Sequence, residues 1–158
     1  MSLARVMKPR PSGKRVQKVL IIDDDAAMRG LIRQTLIPLG VTCLEADDGM
    51  AAMNILEERC PDIIILDYQL PAWDGLELLR HIRTMPHLGT SRTIFITGQA
   101  SDDLLEMLRT HSLVDAVLAK PFRIVELYRL VVELLNQSRG IYPAKPVVQY
   151  KTLAEPAY

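Results

Sequence analysis

Four short groups of polar residues could do chemistry together, because each directly follows an apolar run of strand length. Two of the groups are acidic, and the other two contain hydroxyl, amide or ammonium donors. The acidic groups are Asp23-Asp24-Asp25 and Asp67, and the donor groups are Thr97-Gly98 and Lys120-Pro121. If the fold brings them together, several carboxylates would face a cluster of hydrogen-bond donors.

Carboxylates gathered in this way need a proton or a cation. Two carboxylates about 4 Å apart repel each other by roughly 4 kcal/mol at an effective dielectric constant of about 20, so the cluster must be protonated or hold a positive ion. A few oxygen ligands that leave positions for water and phosphate favour Mg²⁺. We therefore predict Mg²⁺ as the cofactor.

The remaining groups favour binding of a phosphoryl group beside that cation. Lys120 would supply a positive charge, and the Thr97 hydroxyl and the Gly98 amide would supply hydrogen-bond donors. A carboxylate that faces a metal and such donors can act as a nucleophile and form an aspartyl phosphate. Catalysis would then consist mainly of positioning and of electrostatic stabilisation of the transferred oxygens.

Five apolar runs predict the strands that position these residues. The runs are continuous rather than alternating, which is typical of parallel strands covered by helices on both faces. They span residues 19–22, 41–44, 63–66, 93–96 and 116–118, the second run being the weakest. Helical stretches separate them, so strand and helix alternate between about residues 17 and 136, which favours a doubly wound open α/β sheet. Ligands bind such sheets outside the carboxyl ends of the strands, where the polar groups lie.

Capping residues predict where the helices begin and end. Side-chain oxygens at a helix start can accept hydrogen bonds from the first backbone amides, and glycine is typical of a helix end. The candidate N-caps are Asp25, Asp47 or Asp48, Asp74 and Ser101, and Gly40 is the candidate C-cap of the first helix. We expect the second, third and fourth helices to end near residues 59, 85 and 111.

Composition and charge exclude several classes of protein. The chain has 158 residues, 49% of them apolar, which is enough for one domain with a buried core. No apolar run reaches the roughly 18 residues of a membrane span, and the N-terminus does not have the pattern of a secretory signal, so we expect a cytoplasmic protein without membrane contact. Cys43 and Cys60 lie outside any disulfide or zinc-binding pattern, and we expect buried thiols.

The charged residues divide the chain into three parts. Residues 1–18 contain six basic residues and no acid, whereas residues 19–138 contain 18 acids and 10 bases. The acidic part favours cation binding and argues against direct binding of nucleic acid. We predict a flexible basic leader at 1–16, one domain at 17–137, and a tail or the start of a linker at 138–158.

Five motifs resemble the response-regulator receiver family of two-component signalling, in the family's order and spacing and over about residues 17–137. They are IIDDD at 21–25, PDIIILD at 61–67, LPAWDG at 70–75, TG at 97–98 and KPF at 120–122. The resemblance implies a flavodoxin-like fold with five parallel strands in the order 2-1-3-4-5 and helices on both faces. It also implies a signalling protein that catalyses only its own phosphotransfer and dephosphorylation.

The resemblance also assigns roles to the site residues. Asp67 would be the phospho-acceptor and, with Asp24, a direct Mg²⁺ ligand, while Asp23 would act through a bound water. The backbone carbonyl of Gln69 would complete the protein's ligands. Thr97 and Lys120, with the Gly98 amide, would hold the phosphoryl group, and the peptide bond between Lys120 and Pro121 would be cis.

The resemblance implies partners and a switch as well. The phosphoryl donor would be a histidine kinase or a phosphotransfer protein, and the output would go to a downstream protein, to an output domain absent from this chain, or through a homodimer. In the family, Thr97 is coupled to an aromatic residue three positions before the lysine. That position is Val117 here, so the usual rotation of an aromatic ring is not available.

The sequence leaves three alternative functions open. One is the N-terminal receiver of a longer regulator, and another is a receiver-like interaction module that does not use phosphorylation. The third is an enzyme that forms an aspartyl phosphate, but such enzymes usually place a second aspartate two residues after the nucleophile on the first strand. Here that position is Gln69 and the candidate nucleophile follows the third strand.

Overall fold

The computed structural model describes residues 15–98 and 101–137 and the backbone of residues 148–149. Its strands are β1 (Lys18–Ile22), β2 (Thr42–Ala46), β3 (Ile63–Asp67), β4 (Gln69–Leu70), β5 (Trp73–Asp74), β6 (Arg92–Thr97), β7 (Ala116–Ala119) and β8 (Val148–Gln149). Its α-helices are α1 (Ala26–Leu36), α2 (Gly49–Glu58), α3 (Gly75–Arg83), α4 (Asp102–Thr110) and α5 (Ile124–Gln137). Short 3₁₀ helices span Ile37–Leu39 and Pro86–Leu88.

The main sheet is parallel and has the strand order β2-β1-β3-β6-β7-β8. Its first five strands confirm the predicted order 2-1-3-4-5, with β6 and β7 as the fourth and fifth strands. The sequence pattern does not predict β8. It also misses the two-stranded antiparallel hairpin of β4 and β5, which lies between β3 and α3.

Both faces of the sheet are buried, as the continuous apolar runs predict. In β1, β2, β3, β6 and β7, alternate residues face α2, α3 and α4 on one side, and the residues between them face α1 and α5 on the other. On β3, for example, Ile64 and Leu66 lie on the first side, and Ile63 and Ile65 lie on the second. Each fully buried side chain of this size contributes about 1.5–3 kcal/mol to folding.

The helix starts agree with the predicted caps. Asp25, Asp48, Asp74 and Ser101 each accept hydrogen bonds from the first backbone amides of α1, α2, α3 and α4. The helices end one or two residues before the predicted positions. The prediction for Gly40 is wrong in detail, because α1 already ends at Leu36 and Gly40 (φ 65°) closes the 3₁₀ turn that follows.

The two cysteines are less buried than the sequence predicts. Cys43 and Cys60 are half-buried, so the prediction of buried thiols is too strong. Burial nevertheless raises the pKa of the Cys43 thiol.

Within the described residues, no helix combines the length and the apolarity that a membrane crossing requires. The basic leader at 1–16 lies almost entirely outside the described residues, and the boundaries 17–137 and 138–158 stay predictions.

Gly30→Ala is expected to raise the free energy of unfolding by about 0.5–1 kcal/mol, because glycine inside a helix costs that much relative to alanine. Gly30 lies within α1, and no heavy atom is within 4 Å of the position that an added Cβ would occupy. Urea unfolding measures the change. Gly40→Ala is the matched control and should destabilise the protein, since a Cβ is strained at φ +65°. A loss of stability in Gly30→Ala would contradict the expectation.

Candidate functional site

The carboxyl ends of four parallel strands bring the predicted site residues together. Asp23 follows β1, Asp67 ends β3, Thr97 ends β6 and Lys120 follows β7. Since β3 lies between β1 and β6, Asp67 is central in this group. The convergence that the sequence predicts at one edge of the sheet is therefore found in the structure.

Three carboxylates form the acidic part of the site. Asp23, Asp24 and Asp67 each offer an oxygen, and these three oxygens lie within 4.8 Å of one another. Asp23 and Asp67 are buried, whereas Asp24 is exposed. A donor set made only of oxygens and open to solvent on one side fits Mg²⁺, which keeps several of its waters in protein sites.

Lys120 lies opposite these carboxylates. Its Nζ is 3.1 Å from Oδ2 of Asp67 and 3.4 Å from Oδ2 of Asp23. Desolvation disfavours the charged amine, but the hydrogen bond to Asp67 and the two negative charges outweigh it and raise the pKa of Lys120. The lysine is therefore a permanent positive charge beside the central aspartate.

The pKa of Asp23 reflects first its burial and then the groups around it. Burial raises this pKa most, and the amide of Asp25 opposes that effect. The charge of Asp67 raises it further, and Lys120 lowers it. The net direction is upward, which means that the charged form of Asp23 is disfavoured and that a bound cation would relieve the repulsion.

Backbone amides fix the second oxygen of each buried carboxylate. The Asp25 amide donates to Oδ1 of Asp23 at 2.8 Å, and the Gln69 amide donates to Oδ1 of Asp67 at 3.0 Å. Both Oδ2 atoms therefore face Lys120. Arg29 on α1 donates to the backbone carbonyl of Asp23 at 2.7 Å. The sequence pattern contains no signal for this contact, because Arg29 is one of many basic residues on helices.

The predicted phosphoryl-binding residues are adjacent at the ends of β6 and β7. The amide of Lys120 donates to the carbonyl of Thr97 at 2.7 Å, and Thr97 is fully buried. A Cβ added at Gly98 would lie 3.9 Å from Cδ of Lys120, so an alanine would fit there. The peptide bond between Lys120 and Pro121 is cis, as the resemblance implied.

The position of the expected aromatic switch is filled by a buried aliphatic side chain. Val117 lies opposite Phe95 in the ladder between β6 and β7 and belongs to the core below α4. An aromatic contact is found instead at Tyr68, the residue after Asp67, whose ring lies edge-on to Phe95 at 5.9 Å. The Tyr68 hydroxyl is 3.3 Å from a carboxylate oxygen of Asp74, the residue that caps α3. No sequence pattern marks Tyr68 as a functional residue, although it directly follows Asp67.

Mg²⁺ is expected to raise the melting temperature of the protein through the three carboxylates. A ligand at about 100 times its Kd adds roughly 2.7 kcal/mol to the free energy of unfolding. Asp24→Asn should remove most of this effect, because it deletes one of the clustered carboxylates. Asp47→Asn is the matched control, being an exposed acid outside the cluster. A thermal shift with Mg²⁺ that is equal in both variants would contradict this site.

Comparisons with known proteins identify the family of this chain. The profile of the response regulator receiver domain matches residues 19–132. The chemotaxis protein CheY of Pseudomonas aeruginosa is 30% identical over 125 residues, covering 78% of this chain and 99% of that protein. Sporulation initiation phosphotransferase F of Bacillus subtilis is 28% identical over 116 residues, covering 70% and 87%.

A solved structure shows the same fold. The receiver domain of the Francisella response regulator 1452 superposes with a TM-score of 0.68 at 29% identity, covering 78% of this chain and 99% of that one. The matched region contains every strand end that carries a site residue. This chain therefore belongs to the response-regulator receiver family of two-component signalling proteins.

Proposed function

We propose that Asp67 accepts a phosphoryl group from a histidine kinase or a phosphotransfer protein, in a reaction that requires Mg²⁺. The arrangement of charged and hydrogen-bonding groups around Asp67 supports this proposal. One oxygen of Asp67 is held by an amide, the other faces Lys120, and two further carboxylates lie beside it. The ligands would be Asp24, Asp67, the Gln69 carbonyl and, through water, Asp23.

Each residue of the site would have its own role in the phosphoryl transfer. An oxygen of Asp67 attacks phosphorus, the bond from phosphorus to the donor's imidazole nitrogen breaks, and that nitrogen takes a proton from solvent. Bound Mg²⁺ would neutralise charge on the transferred oxygens. Lys120 exchanges its contact with the Asp67 carboxylate for one with the phosphoryl oxygens, and Thr97 and Gly98 lie beside it. Water later cleaves the acyl phosphate and returns Asp67 and inorganic phosphate.

Phosphorylation would then change partner binding. A switch of this kind works only if the phosphorylated site binds one existing conformation better than another. With Val117 in place of an aromatic residue, we propose that the shift passes through Thr97 and the adjacent loop. The downstream partner would be another protein, an output domain outside this chain or a second copy, and the setting would be the cytoplasm.

Two other functions predict different outcomes. A receiver-like interaction module would not use phosphorylation, and an enzyme would turn over a small phosphate ester. The part-buried contacts of Lys120 with Asp67 and Asp23 favour the receiver, since an interaction surface does not require this arrangement.

Acetyl phosphate with Mg²⁺ is expected to add one phosphoryl group to the chain, detected as a single adduct by intact mass spectrometry. Asp67→Asn should abolish the adduct, because the amide is not a nucleophile toward phosphorus. Glu106→Gln is the matched control, an exposed carboxylate on α4 replaced by its amide. Failure of the unmodified chain to form the adduct in Mg²⁺, or an adduct that persists in Asp67→Asn, would overturn the proposal.

Tryptophan fluorescence gives a second measurement of the same reaction. Trp73 lies on β5, six residues after Asp67, with its ring edge-on to His81 at 5.3 Å. Beryllofluoride with Mg²⁺ should change its emission in the unmodified chain and not in Asp67→Asn. Continuous release of phosphate from a small ester, at a rate that Asp67→Asn abolishes, would favour the enzyme.

A further inference from the structure

Arg29 on α1 links the acidic site to the edge strand β2. Its Nη1 donates to the backbone carbonyl of Asp23 at 2.7 Å, and its Nε is 3.4 Å from Oε1 of Glu45 on β2. The Arg29 side chain is only 18% exposed. A planar guanidinium can make two directed contacts of this kind at once, whereas an ammonium acts as a point charge. The contact with Glu45 therefore orients Arg29 while it holds the Asp23 carbonyl.

Glu45 lies next to a second contact between β2 and the acidic site. The following residue, Ala46, accepts a hydrogen bond from the Asp23 amide at 3.1 Å. The other carboxylate oxygen of Glu45 contacts Nη1 of Arg33 at 2.7 Å, one helical turn after Arg29. The end of β2 thus holds Asp23 at its amide directly and at its carbonyl through Glu45 and Arg29.

The carbonyl of Asp23 belongs to the peptide group that leads into Asp24. Asp24 is exposed, so the direction of its side chain depends on this peptide group more than on packing. The same backbone forms an Asx turn, in which the Asp25 amide donates to Oδ1 of Asp23 at 2.8 Å. A change in ψ of Asp23 would move its carbonyl away from Arg29, break the Asx turn and shift Asp24. Arg29 therefore restrains the backbone that carries two of the three clustered carboxylates.

We propose that Arg29 is a positioning residue for the metal site. By holding the Asp23 carbonyl, it keeps the carboxylates of Asp23 and Asp24 directed toward the cation that Asp67 would also bind. The inference rests on the proposed function, because it requires that these carboxylates bind Mg²⁺. Replacing a residue that orients metal ligands typically lowers metal affinity about 10–100-fold.

The charge of Arg29 by itself predicts the opposite effect. A positive charge close to three carboxylates repels a cation, so removing the charge alone would tighten Mg²⁺ binding. A positioning role predicts weaker binding, because the carboxylates lose their common orientation. The sign of the change therefore separates the two roles.

Calorimetric titration of the full chain with MgCl₂ measures this change. Arg29→Gln should weaken Mg²⁺ binding about tenfold. Arg33→Gln is the matched control, because it removes the same charge from the same helix and a contact with the same glutamate, but leaves the Asp23 carbonyl bonded. It should not weaken Mg²⁺ binding. Arg29→Lys keeps the charge and a donor, so it should lose less affinity than Arg29→Gln.

Hydrogen exchange of the Asp25 amide, followed by NMR without Mg²⁺, gives a second measurement. This amide should exchange about tenfold faster in Arg29→Gln than in the unmodified chain, because the Asx turn loses its restraint. It should exchange at the unmodified rate in Arg33→Gln. Both substitutions remove an ion pair with Glu45, so a merely structural role would lower both melting temperatures and leave the two Mg²⁺ affinities alike.

The possible failures of this inference and of the proposed function are distinct. Mg²⁺ binding by Arg29→Gln that equals or exceeds that of the unmodified chain would overturn the inference and leave the proposed function intact. Equal exchange of the Asp25 amide in the unmodified chain, Arg29→Gln and Arg33→Gln would do the same. An unmodified chain that binds no Mg²⁺ would overturn the proposed function, and the inference with it.

Discussion

Lys120→Met is expected to slow the phosphorylation of Asp67 by acetyl phosphate about 10²–10³-fold, the range found when one positioned donor to a developing charge is removed. Lys120 contacts the Asp67 carboxylate at 3.1 Å, so it lies where the oxygens of a phosphoryl group on Asp67 would collect charge. Methionine keeps the length of the side chain and removes only the charge and the donors. Single-exponential rates of adduct formation, measured by intact mass, give the change.

The same substitution should tighten Mg²⁺ binding by about tenfold. Lys120 and a cation compete for the negative charge of Asp23 and Asp67, and removing the ammonium removes its repulsion of the cation. Mg²⁺ titration of Trp73 fluorescence measures this effect. Arg123→Met is the matched control, because Arg123 is an exposed cation three residues away and should change neither quantity.

The opposite signs of the two effects make the prediction specific. A variant that is merely misfolded would lose phosphorylation and Mg²⁺ binding together, and its melting temperature would fall. If Lys120→Met phosphorylates at the unmodified rate, Lys120 does not hold the phosphoryl group. If Mg²⁺ binding weakens instead, the lysine organises the carboxylates rather than competing with the ion.

Much of the site could be predicted from sequence because the residues that follow parallel strands lie at the same edge of the sheet. Asp23, Asp67, Thr97 and Lys120 each follow or end a continuous apolar run, and this single regularity brings them together. The helix N-caps could be predicted equally well. An aspartate or serine before a helical pattern of apolar residues can accept hydrogen bonds from the first backbone amides of the helix.

Other features depend on contacts that no local pattern encodes. β8 has only two residues, and its pairing with β7 rests on backbone geometry rather than on apolar periodicity. The Arg29 contact with the Asp23 carbonyl likewise arises from the packing of α1 against the strand end. The early end of α1 reflects Pro38, which lies in the 3₁₀ turn that follows it.

A buried acid alone does not identify a functional site in this chain. Asp115 is as exposed as Asp67, at 6%, but it lies before β7 at the opposite end of the sheet. Its carboxylate accepts from the Thr93 amide at 2.8 Å and contacts Arg92 at 3.1 Å and Arg83 at 3.8 Å. Two arginines balance one acid there, whereas one lysine faces two buried acids at the proposed site. The excess of negative charge, rather than burial, therefore indicates which of the two sites would bind a cation.

Gly75→Ala is expected to lower the free energy of unfolding by about 2–3 kcal/mol, within the usual cost of overpacking a core. An added Cβ would lie 2.8 Å from Cε1 of Phe95, 2.8 Å from Cα of Tyr68 and 2.9 Å from the Tyr68 carbonyl oxygen. Two of these neighbours are backbone atoms, so the clash cannot be relieved by moving a flexible side chain. Urea unfolding measures the loss, with Gly98→Ala as the control whose nearest neighbour is 3.9 Å away.

The same substitution should also slow phosphorylation in the fraction that remains folded. The Gly75 amide donates to the Tyr68 carbonyl at 2.9 Å, and Tyr68 directly follows Asp67, the proposed acceptor. Displacing the Tyr68 backbone therefore moves the carboxylate relative to Lys120, and an error of this kind at a reacting centre can cost about 10²-fold in rate. Rates should be compared at a temperature where both proteins are folded. A destabilised variant with an unmodified rate would show that the contact between α3 and Tyr68 supports the fold but does not position the acceptor.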